Sequence, residues 1–175
     1  MLHPITKIVD FNCNLVTGDE RGVIRVFRWS LDRNDSLSRH QDVEIQLVCE
    51  GFRCGIASME PINESTLAVS SYSVSSNEAI VSSASPLLVK NPQAVFFIDM
   101  NNNVVKAVFD AHRDVVNCIC PLPDGGLLTA GGKMDATVRL WEPENVTMAL
   151  QNMKSEDDEN EDVPTFEDCR ILKEP

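Results

Sequence analysis

Residues Gly125 to Pro143 read GGLLTAGGKMDATVRLWEP, and this stretch carries the clearest structural signal in the chain. Two short apolar runs, LLTAG and TVRLW, flank a Gly-rich turn that contains a single acid, Asp135. Short apolar runs on either side of a Gly-containing turn predict two antiparallel strands. The second run ends on Trp141, six residues after the acid, and strand propensity alone does not explain that spacing.

The same alternation of short apolar runs and turn clusters covers most of the chain. The runs are about 4 to 8 residues long, as strands are. The clusters between them, such as DERG, PINES, MNNN and PLPDGG, are rich in turn formers. Helical periodicity is nearly absent, because only TMALQNMKS, Thr147 to Ser155, fits a helix, and it fits an outer strand equally well. The sequence therefore predicts an all-β fold.

Charge is unevenly distributed along the chain. The 175 residues carry a net charge of −12, which argues against a nucleic-acid partner. Ser155 to Asp168 contains eight acids and no base. We interpret this segment as a solvated tail, and its Ser155, which acids follow, as a phosphorylation candidate for an acidophilic kinase.

The sequence contains no apolar run of membrane-spanning length and no signal-peptide pattern at its start. We therefore expect an intracellular protein, cytoplasmic by default with the nucleus as the alternative. The six cysteines are interpreted as reduced core residues. With only three histidines, no metal site is expected. Phosphate-loop, G-x-S-x-G and H-E-x-x-H motifs are absent from the sequence, so we expect neither an enzyme nor a cofactor.

A longer unit around the opening stretch, Val104 to Asn145, resembles one complete repeat of the WD40 β-propeller family. Ala111-His112 stands in for the Gly-His of the family, and Trp141-Glu142 stands in for its Trp-Asp. The resemblance implies a four-stranded blade held by a hydrogen-bonded chain of buried side chains, namely His112, Thr129, Asp135 and Trp141. Buried polar groups need partners, and here each is the partner of another. We assign these residues to folding and predict no catalytic residue.

Two weaker copies precede this unit. In the first, residues 1–50, Phe27 replaces the Trp and Arg21 takes the place of the acid, so we expect no polar chain there. The second, residues 51–110, keeps Ile98-Asp99 at the end of its third strand and contains an insertion at 72–93. Within the insertion, AIVSSA and PLLVK are expected to be a mobile loop or a small hairpin. Residues 111–150 form the well-matched blade.

Residues 151–175 are predicted to be an acidic tail, largely disordered, although FEDCRILKEP within it could return as a strand. Three blades cannot close a ring, since propellers need roughly four to eight. We therefore predict a partial propeller with two uncovered terminal faces. Further blades from the same gene product are the favoured cover, and a partner chain or a second copy are the alternatives.

The family resemblance implies a non-enzymatic scaffold that binds peptides or subunits of a larger complex. Loops on one face of the predicted blades, among them EGFRC at 50–54, would present a basic rim: Arg21, Arg53, Arg113 and Lys133. We hypothesise that this rim accepts an acidic or phosphorylated peptide. Scattered solvated charge is the simpler interpretation, and the acidic tail is a competing occupant.

Two other functions stay open at this point. Phe52-Arg53-Cys54-Gly55 resembles the Phe-Arg-Arg-Gly motif of phosphoinositide-binding propellers in membrane trafficking, although the second Arg is missing. A substrate receptor of a ubiquitin ligase is the other alternative. Many such receptors contain a W-D-x-R signature. This sequence lacks it, because Trp141 is followed by Glu-Pro-Glu.

Overall fold

The computed structural model describes residues 3–31, 37–49, 52–74, 85–89, 94–102, 104–109, 111–152 and 169–172. In these ranges the chain forms thirteen strands and one helix, α1 (Pro143–Asn152). The strands are β1 (Ile5–Phe11), β2 (Asn14–Asp19), β3 (Val23–Leu31), β4 (Leu37–Cys49), β5 (Phe52–Pro61), β6 (Thr66–Val74), β7 (Ser85–Val89), β8 (Val95–Asp99), β9 (Val104–Phe109), β10 (Val116–Pro121), β11 (Leu127–Gly131), β12 (Val138–Trp141) and β13 (Arg170–Leu172).

The strands form two sheets. The first has the order β1-β2-β3-β4-β5-β6-β8-β9, with β7 beside β4, and the second has the order β10-β11-β12-β13. We call β1–β4 blade 1, then β5, β6, β8 and β9 blade 2, and β10–β13 blade 3. Neighbouring strands within each blade are antiparallel. The described strands form no closed ring, as the sequence predicts for a partial propeller.

The first strand of every blade contains a break in register at the same place. The break lies between Ile5 and Lys7 in β1, between Ile56 and Ser58 in β5, and between Val116 and Cys118 in β10. A bulge at a conserved point of a repeated unit re-aims the residues that follow it. The shared break fixes which residues of the three blades are equivalent, and it places Phe27 and Ile98 at the position of Trp141.

Two apolar clusters lie between the blades. One joins blade 1 to blade 2 and includes Val16, Ile24, Ile56, Met59 and Ile98. The other joins blade 2 to blade 3 and includes Val95, Phe97, Val116, Ile119 and Trp141. Each blade therefore buries side chains against a neighbouring blade. This packing explains why several strands are apolar throughout rather than alternating. Blade 2, covered on both sides, has all five residues of β8 buried.

The sequence left a helix or an outer strand open for TMALQNMKS, and the structure has a helix there, α1, with a different start. It begins at Pro143, four residues before the predicted stretch, because Pro is well suited to the first helical position and Glu144 follows it in the first turn. Val146 and Ala149, three residues apart, are buried against the second apolar cluster. The outer-strand alternative was wrong, since β13 fills that edge by pairing Val138 with Leu172.

The fourth strand of blade 3 thus comes from residues 170–172, whereas the sequence predicts a blade confined to 111–150 followed by a largely disordered tail. The suggested returning strand in FEDCRILKEP lies here. Residues 153–168, which include Ser155 and most of the acids, lie outside the described ranges.

The insertion at 72–93 also differs from the prediction. Its residues 85–89 form β7, which runs parallel to β4 and pairs Leu87 with Leu47 and Val89 with Cys49. PLLVK therefore does not depend on AIVSSA for a partner, and AIVSSA lies outside the described residues. An apolar stretch of this kind pairs wherever an exposed strand edge offers free backbone groups.

Candidate functional site

The four side chains that the family resemblance groups together lie in one buried chain of hydrogen bonds, which we call the polar network. The Trp141 Nε1–H donates to Thr129 Oγ1 at 3.0 Å, and Thr129 Oγ1 lies 2.8 Å from His112 Nε2. On the other side of the ring, His112 Nδ1 lies 3.2 Å from Asp135 Oδ1. Pairing of Leu127 with Trp141 and of Thr129 with Arg139 brings these side chains onto one face.

The polar network is satisfied by a neutral His112. The Thr129 hydroxyl oxygen accepts from the Trp141 N–H, so its hydrogen can be donated to Nε2 of His112. The other ring nitrogen of His112, Nδ1, then carries a hydrogen and donates it to Asp135. Burial of the imidazole lowers its pKa, and the hydrogen bond and charge of Asp135 offset only part of that effect. His112 is thus held uncharged, which suits a structural role between strands.

Asp135 is the charged member of the polar network. Burial alone would raise its pKa, but hydrogen bonds from Thr137, from the backbone N–H of Arg113 and from His112 hold the pKa well below its usual range. Arg139 adds an ion pair, with Nη2 at 3.2 Å from Asp135 Oδ2 and both side chains at most 5% exposed. Arg139 Nη1 also lies 3.9 Å from Cys169 Sγ, just before β13.

Blade 1 keeps part of this arrangement, contrary to the sequence prediction. Asp19, not Arg21, supplies the carboxylate of its turn, and Asp19 Oδ1 accepts the backbone N–H groups of Arg21 and Val23 at 2.9 and 3.0 Å. The guanidinium of Arg25 lies 2.7 Å from Asp19 Oδ2. Arg25 pairs with Thr17 as Arg139 pairs with Thr129, so the acid–Arg pair is shared while the His and Trp are not.

A groove of about 520 Å³ opens where the first strands of the three blades meet. Blade 1 contributes Thr6, blade 2 contributes Tyr72, and the loops and first strand of blade 3 contribute most of the rest. The groove is lined by Thr6, Ile56, Ala57, Tyr72, Asp114, Val115, Asn117, Gly132 and Lys133. These residues come from segments that are far apart in the sequence. For that reason Thr6, Tyr72 and Asn117 could not be predicted as neighbours from the sequence alone.

The groove presents polar side chains from all three blades that border it, together with one cation. Burial, together with the charges of Glu20 and Asp19, raises the pKa of Tyr72, so its hydroxyl stays protonated. Asp114 is the acid in the lining, and its two oxygens accept the backbone N–H groups of Val115 and Met134, each at 2.8 Å. Lys133 is exposed at the edge.

The structure places the predicted basic rim unevenly around this groove. Lys133 lines the groove, and Arg113 is exposed in the loop next to Asp114. Arg21 is half-buried in the turn of blade 1 that follows Asp19. Arg53 lies within β5, where its backbone pairs with Val48 and Val74, so the predicted loop at 50–54 is strand from Phe52 onward. The side chain of Arg53 is outside the described part.

The cysteines differ from the prediction of a uniform core role. Cys54 is buried, whereas Cys13, Cys118 and Cys120 are exposed. Among the described residues, no group of three or more His, Cys, Asp or Glu side chains is arranged to hold a metal ion. Across the same ranges, no helix has the length and apolar character needed to cross a membrane.

Comparison with known proteins identifies the fold. Residues 103–142 match the family model of the WD domain, G-beta repeat (WD40). The chain is similar to the crystal structure of the WD40 β-propeller domain of Doa1, with 17% identity and a TM-score of 0.50, over 81% of this chain and 38% of that chain. It also matches a structure of the mitotic checkpoint complex, with 11% identity and a TM-score of 0.40, over 80% of this chain and 49% of that chain. A search of curated protein sequences finds no match.

The chain therefore contains a WD40 repeat at residues 103–142, and its described part has the fold of a partial WD40 β-propeller. Both the predicted resemblance and the predicted all-β class are confirmed. The chain spans well under half of the Doa1 propeller chain, in line with a fold of about three blades.

Proposed function

We propose that this chain is a protein-interaction platform that holds a segment of a partner protein in the groove between its three blades. The observation that carries the proposal is the groove itself, which the three blades build at one end of their first strands. A concave surface on packed sheets can bind without rearranging, which lowers the entropic cost of association. WD40 repeats in general serve as such platforms, and fold alone does not specify the partner.

The chemistry of the groove favours an acidic or phosphorylated segment. Lys133 supplies a cation at its edge, Arg113 supplies a second in the adjoining loop, and the Tyr72 hydroxyl and Asn117 amide add neutral donors. Arg and Lys placed beside neutral donors suit a carboxylate or a phosphate. The acid in the lining, Asp114, has both oxygens in hydrogen bonds from backbone N–H groups, which orient it toward its own loop.

The phosphoinositide alternative finds no such support. Phe52 to Gly55 runs within β5, where Cys54 is buried and a Cβ on Gly55 would lie 2.3 Å from the Tyr72 ring. The backbone of this motif is thus part of the sheet, and Cys54 in its centre faces the interior rather than solvent.

Charge reversal at the groove tests the proposal. The double variant Arg113→Glu, Lys133→Glu should weaken binding of a fluorescent phosphoserine-containing acidic peptide about tenfold or more, since a tenfold change corresponds to about 1.4 kcal/mol. Fluorescence anisotropy measures the affinity. The matched control is the double variant Arg170→Glu, Lys173→Glu, which changes the net charge by the same amount at the end of the chain, where the Arg170 side chain is 71% exposed in β13.

Two outcomes would contradict the proposal. Equal loss of affinity in the control and in the groove variant would show that net charge, not the groove, attracts the peptide. Unchanged affinity in the groove variant would show that the groove is not the binding surface. Binding that survives Tyr72→Phe but not the charge reversal would assign the contact to the cations alone.

A further inference from the structure

One residue in the first strand of each blade lies at the register break, and all three of these residues line the groove. Thr6 lies between Ile5 and Lys7 in β1 and has no pairing partner in β2. Ala57 in β5 and Asn117 in β10 lie at the same break and are unpaired in the same way. A bulge aims its extra residue away from the regular pleat. The repeated bulge therefore supplies one groove residue from every blade, and we call Thr6, Ala57 and Asn117 the bulge residues.

The bulge residues differ in size and in exposure. Thr6 and Asn117 are exposed, whereas Ala57 is half-buried. Blade 2 packs between blades 1 and 3, so Ala57 lies between the other two bulge residues. A single methyl group between two longer side chains leaves a recess, which we call the Ala57 recess.

The apolar part of the groove lining lies around this recess. Val115 and Tyr72 line the groove together with Ala57, and both are half-buried, so part of each residue is open to a partner. Tyr72 pairs with Gly55, two residues before Ala57, and a Cβ on Gly55 would lie 2.3 Å from the Tyr72 ring. The ring therefore lies against β5 near Ala57. An apolar side chain gains by covering such a surface, while a charged one without a partner loses.

Hydrogen-bonding groups flank the Ala57 recess. The Thr6 hydroxyl donates to the Gly18 carbonyl at 3.1 Å, so its oxygen can still accept a hydrogen bond. The exposed Asn117 amide can both donate and accept. These groups match the N–H and C=O that the backbone of a bound segment offers at each residue. Charge in the lining is confined to the loops of blade 3, where Lys133 is the cation and Asp114 the acid.

We propose that the partner segment places an apolar side chain in the Ala57 recess while its carboxylate or phosphate lies at Lys133. This inference rests on the proposed function and deepens it, because it names a second residue type that the groove selects. Thr6 and Asn117 then bind the backbone of the segment on either side of the apolar side chain. The partner is thus a segment in which an apolar residue stands close in sequence to an acidic or phosphorylated one.

A peptide series on the wild-type chain is the first test. Fluorescent acidic phosphoserine peptides carry Val, Gly, Lys or Glu at one position, which is moved in turn across the residues that flank the phosphoserine. At one such position Val should bind about five- to tenfold more tightly than Gly, as expected when one apolar side chain is partly buried. Lys and Glu at that position should lack this gain, since the recess offers no partner for their charge. Fluorescence anisotropy measures each affinity.

Filling the recess tests where the apolar residue binds. Ala57→Leu occupies the space, so the advantage of Val over Gly should fall to about twofold or less. Ala57→Ser is a smaller change that adds one polar atom, and it should lower the same ratio. Ala130→Leu in β11 is the matched control, because Ala130 is also half-buried but is not a lining residue, and it should leave the ratio unchanged. Circular dichroism checks that each variant is folded.

The other outcomes contradict the proposal in distinguishable ways. Val and Gly peptides that bind equally at every position would overturn the Ala57 recess, and the proposed function would stand if Arg113→Glu, Lys133→Glu still weakens both. A preference for Val that survives in Ala57→Leu or in Ala57→Ser would place the apolar contact elsewhere. A wild-type chain that binds none of the peptides would overturn this inference together with the proposed function.

Discussion

Thr129 joins Trp141 to His112, since its single hydroxyl accepts from Trp141 and donates to His112. Thr129→Val keeps the shape but removes the hydrogen-bond partner of the Trp141 Nε1–H and of His112 Nε2, and we expect it to lower the free energy of unfolding by about 1–3 kcal/mol. Urea unfolding followed by circular dichroism measures the change.

Two controls accompany this substitution. Thr129→Ser retains the hydroxyl and should lose much less stability. Thr17→Val alters the equivalent position of blade 1, where Phe27 offers no N–H, and should also cost less. A Thr17 variant as damaging as the Thr129 variant would contradict the role given to the polar network.

His112 makes the chain sensitive to acid. Its pKa in the folded chain is lowered from an ordinary value of 6.5. Below that value the unfolded chain takes up a proton that the folded chain does not, so stability present above about pH 6.5 is lost as the pH falls toward the lowered pKa. Asp135, whose folded pKa is also lowered, adds a loss of the same sign below its ordinary value of 3.8.

The measurement is the free energy of unfolding across about pH 5 to 8, where His is the titrating side chain. Its slope is at most about 1.4 kcal/mol per pH unit for one proton. His112→Gln should be less stable at neutral pH but should show a flatter profile in this range. A variant whose profile matches the wild type in slope would show that another group controls the acid response.

At the residue scale, the sequence predicted what is local. His112, Thr129, Asp135 and Trp141 lie within three consecutive strands and the loop before them, and the family resemblance of that unit was enough to group them. Asp19 was missed because counting back from Phe27 by the spacing of blade 3 reaches Arg21. One sequence signal could have indicated an acid–Arg pair in blade 1. An Arg stands two residues before the aromatic residue in both units, as Arg25-Val26-Phe27 and as Arg139-Leu140-Trp141.

The contact between blades 1 and 2 depends on a glycine. A Cβ on Gly18 would lie 2.8 Å from Ile56 Cγ2, closer than side chains can approach. Gly18→Ala should therefore destabilise the chain by about 1–3 kcal/mol through overpacking. Thermal unfolding detects this as a lower midpoint.

Removing the obstacle should restore part of the loss. In the double variant Gly18→Ala, Ile56→Ala, the two γ carbons of Ile56 are gone, while its Cβ, 2.9 Å from the added methyl group, remains. The overpacking is therefore relieved in part, and the two effects should not add. Strict additivity would mean that the two residues do not meet, and the packing of these blades would need another explanation.

Strand existence was predictable and strand pairing was not. Turn formers such as PINES and PLPDGG marked where β5 and β10 end and where β6 and β11 begin. The parallel pairing of β7 with β4 joins segments far apart in the sequence, and no local pattern reports such a partner. α1 was only half foreseen, because its apolar face is short and its start depends on Pro143.

At the scale of the whole molecule, blade 3 is completed by a strand distant from its other three. β13 pairs with β12 at Val138, Arg139 and Leu140, and the contact of Arg139 with Cys169 adds to this edge. Deleting residues 169–175 should speed amide hydrogen exchange in β12, whose backbone groups would then face solvent. Deleting only 173–175 is the matched control and should leave β12 protected. Equal exchange in both would show that β13 contributes nothing to blade 3.

The groove and the two ends of the stack of blades belong to this scale as well. The sequence predicted uncovered terminal faces because three blades are too few to close a ring. It did not predict which side chains lie at the two ends, since that depends on the register break in each first strand. Ile8 and Met59 are both large apolar residues at equivalent positions of their blades, yet Ile8 is 59% exposed and Met59 is 0% exposed.

The repeated register break limits how the chain can change in length. Side chains alternate between the two sides of a sheet, so gaining or losing one residue after the break would turn the rest of that strand over and send apolar side chains to the wrong neighbour. Turns carry no such constraint. Insertions should therefore accumulate between strands, as the stretch at 72–93 already has, while β1, β5 and β10 keep their length.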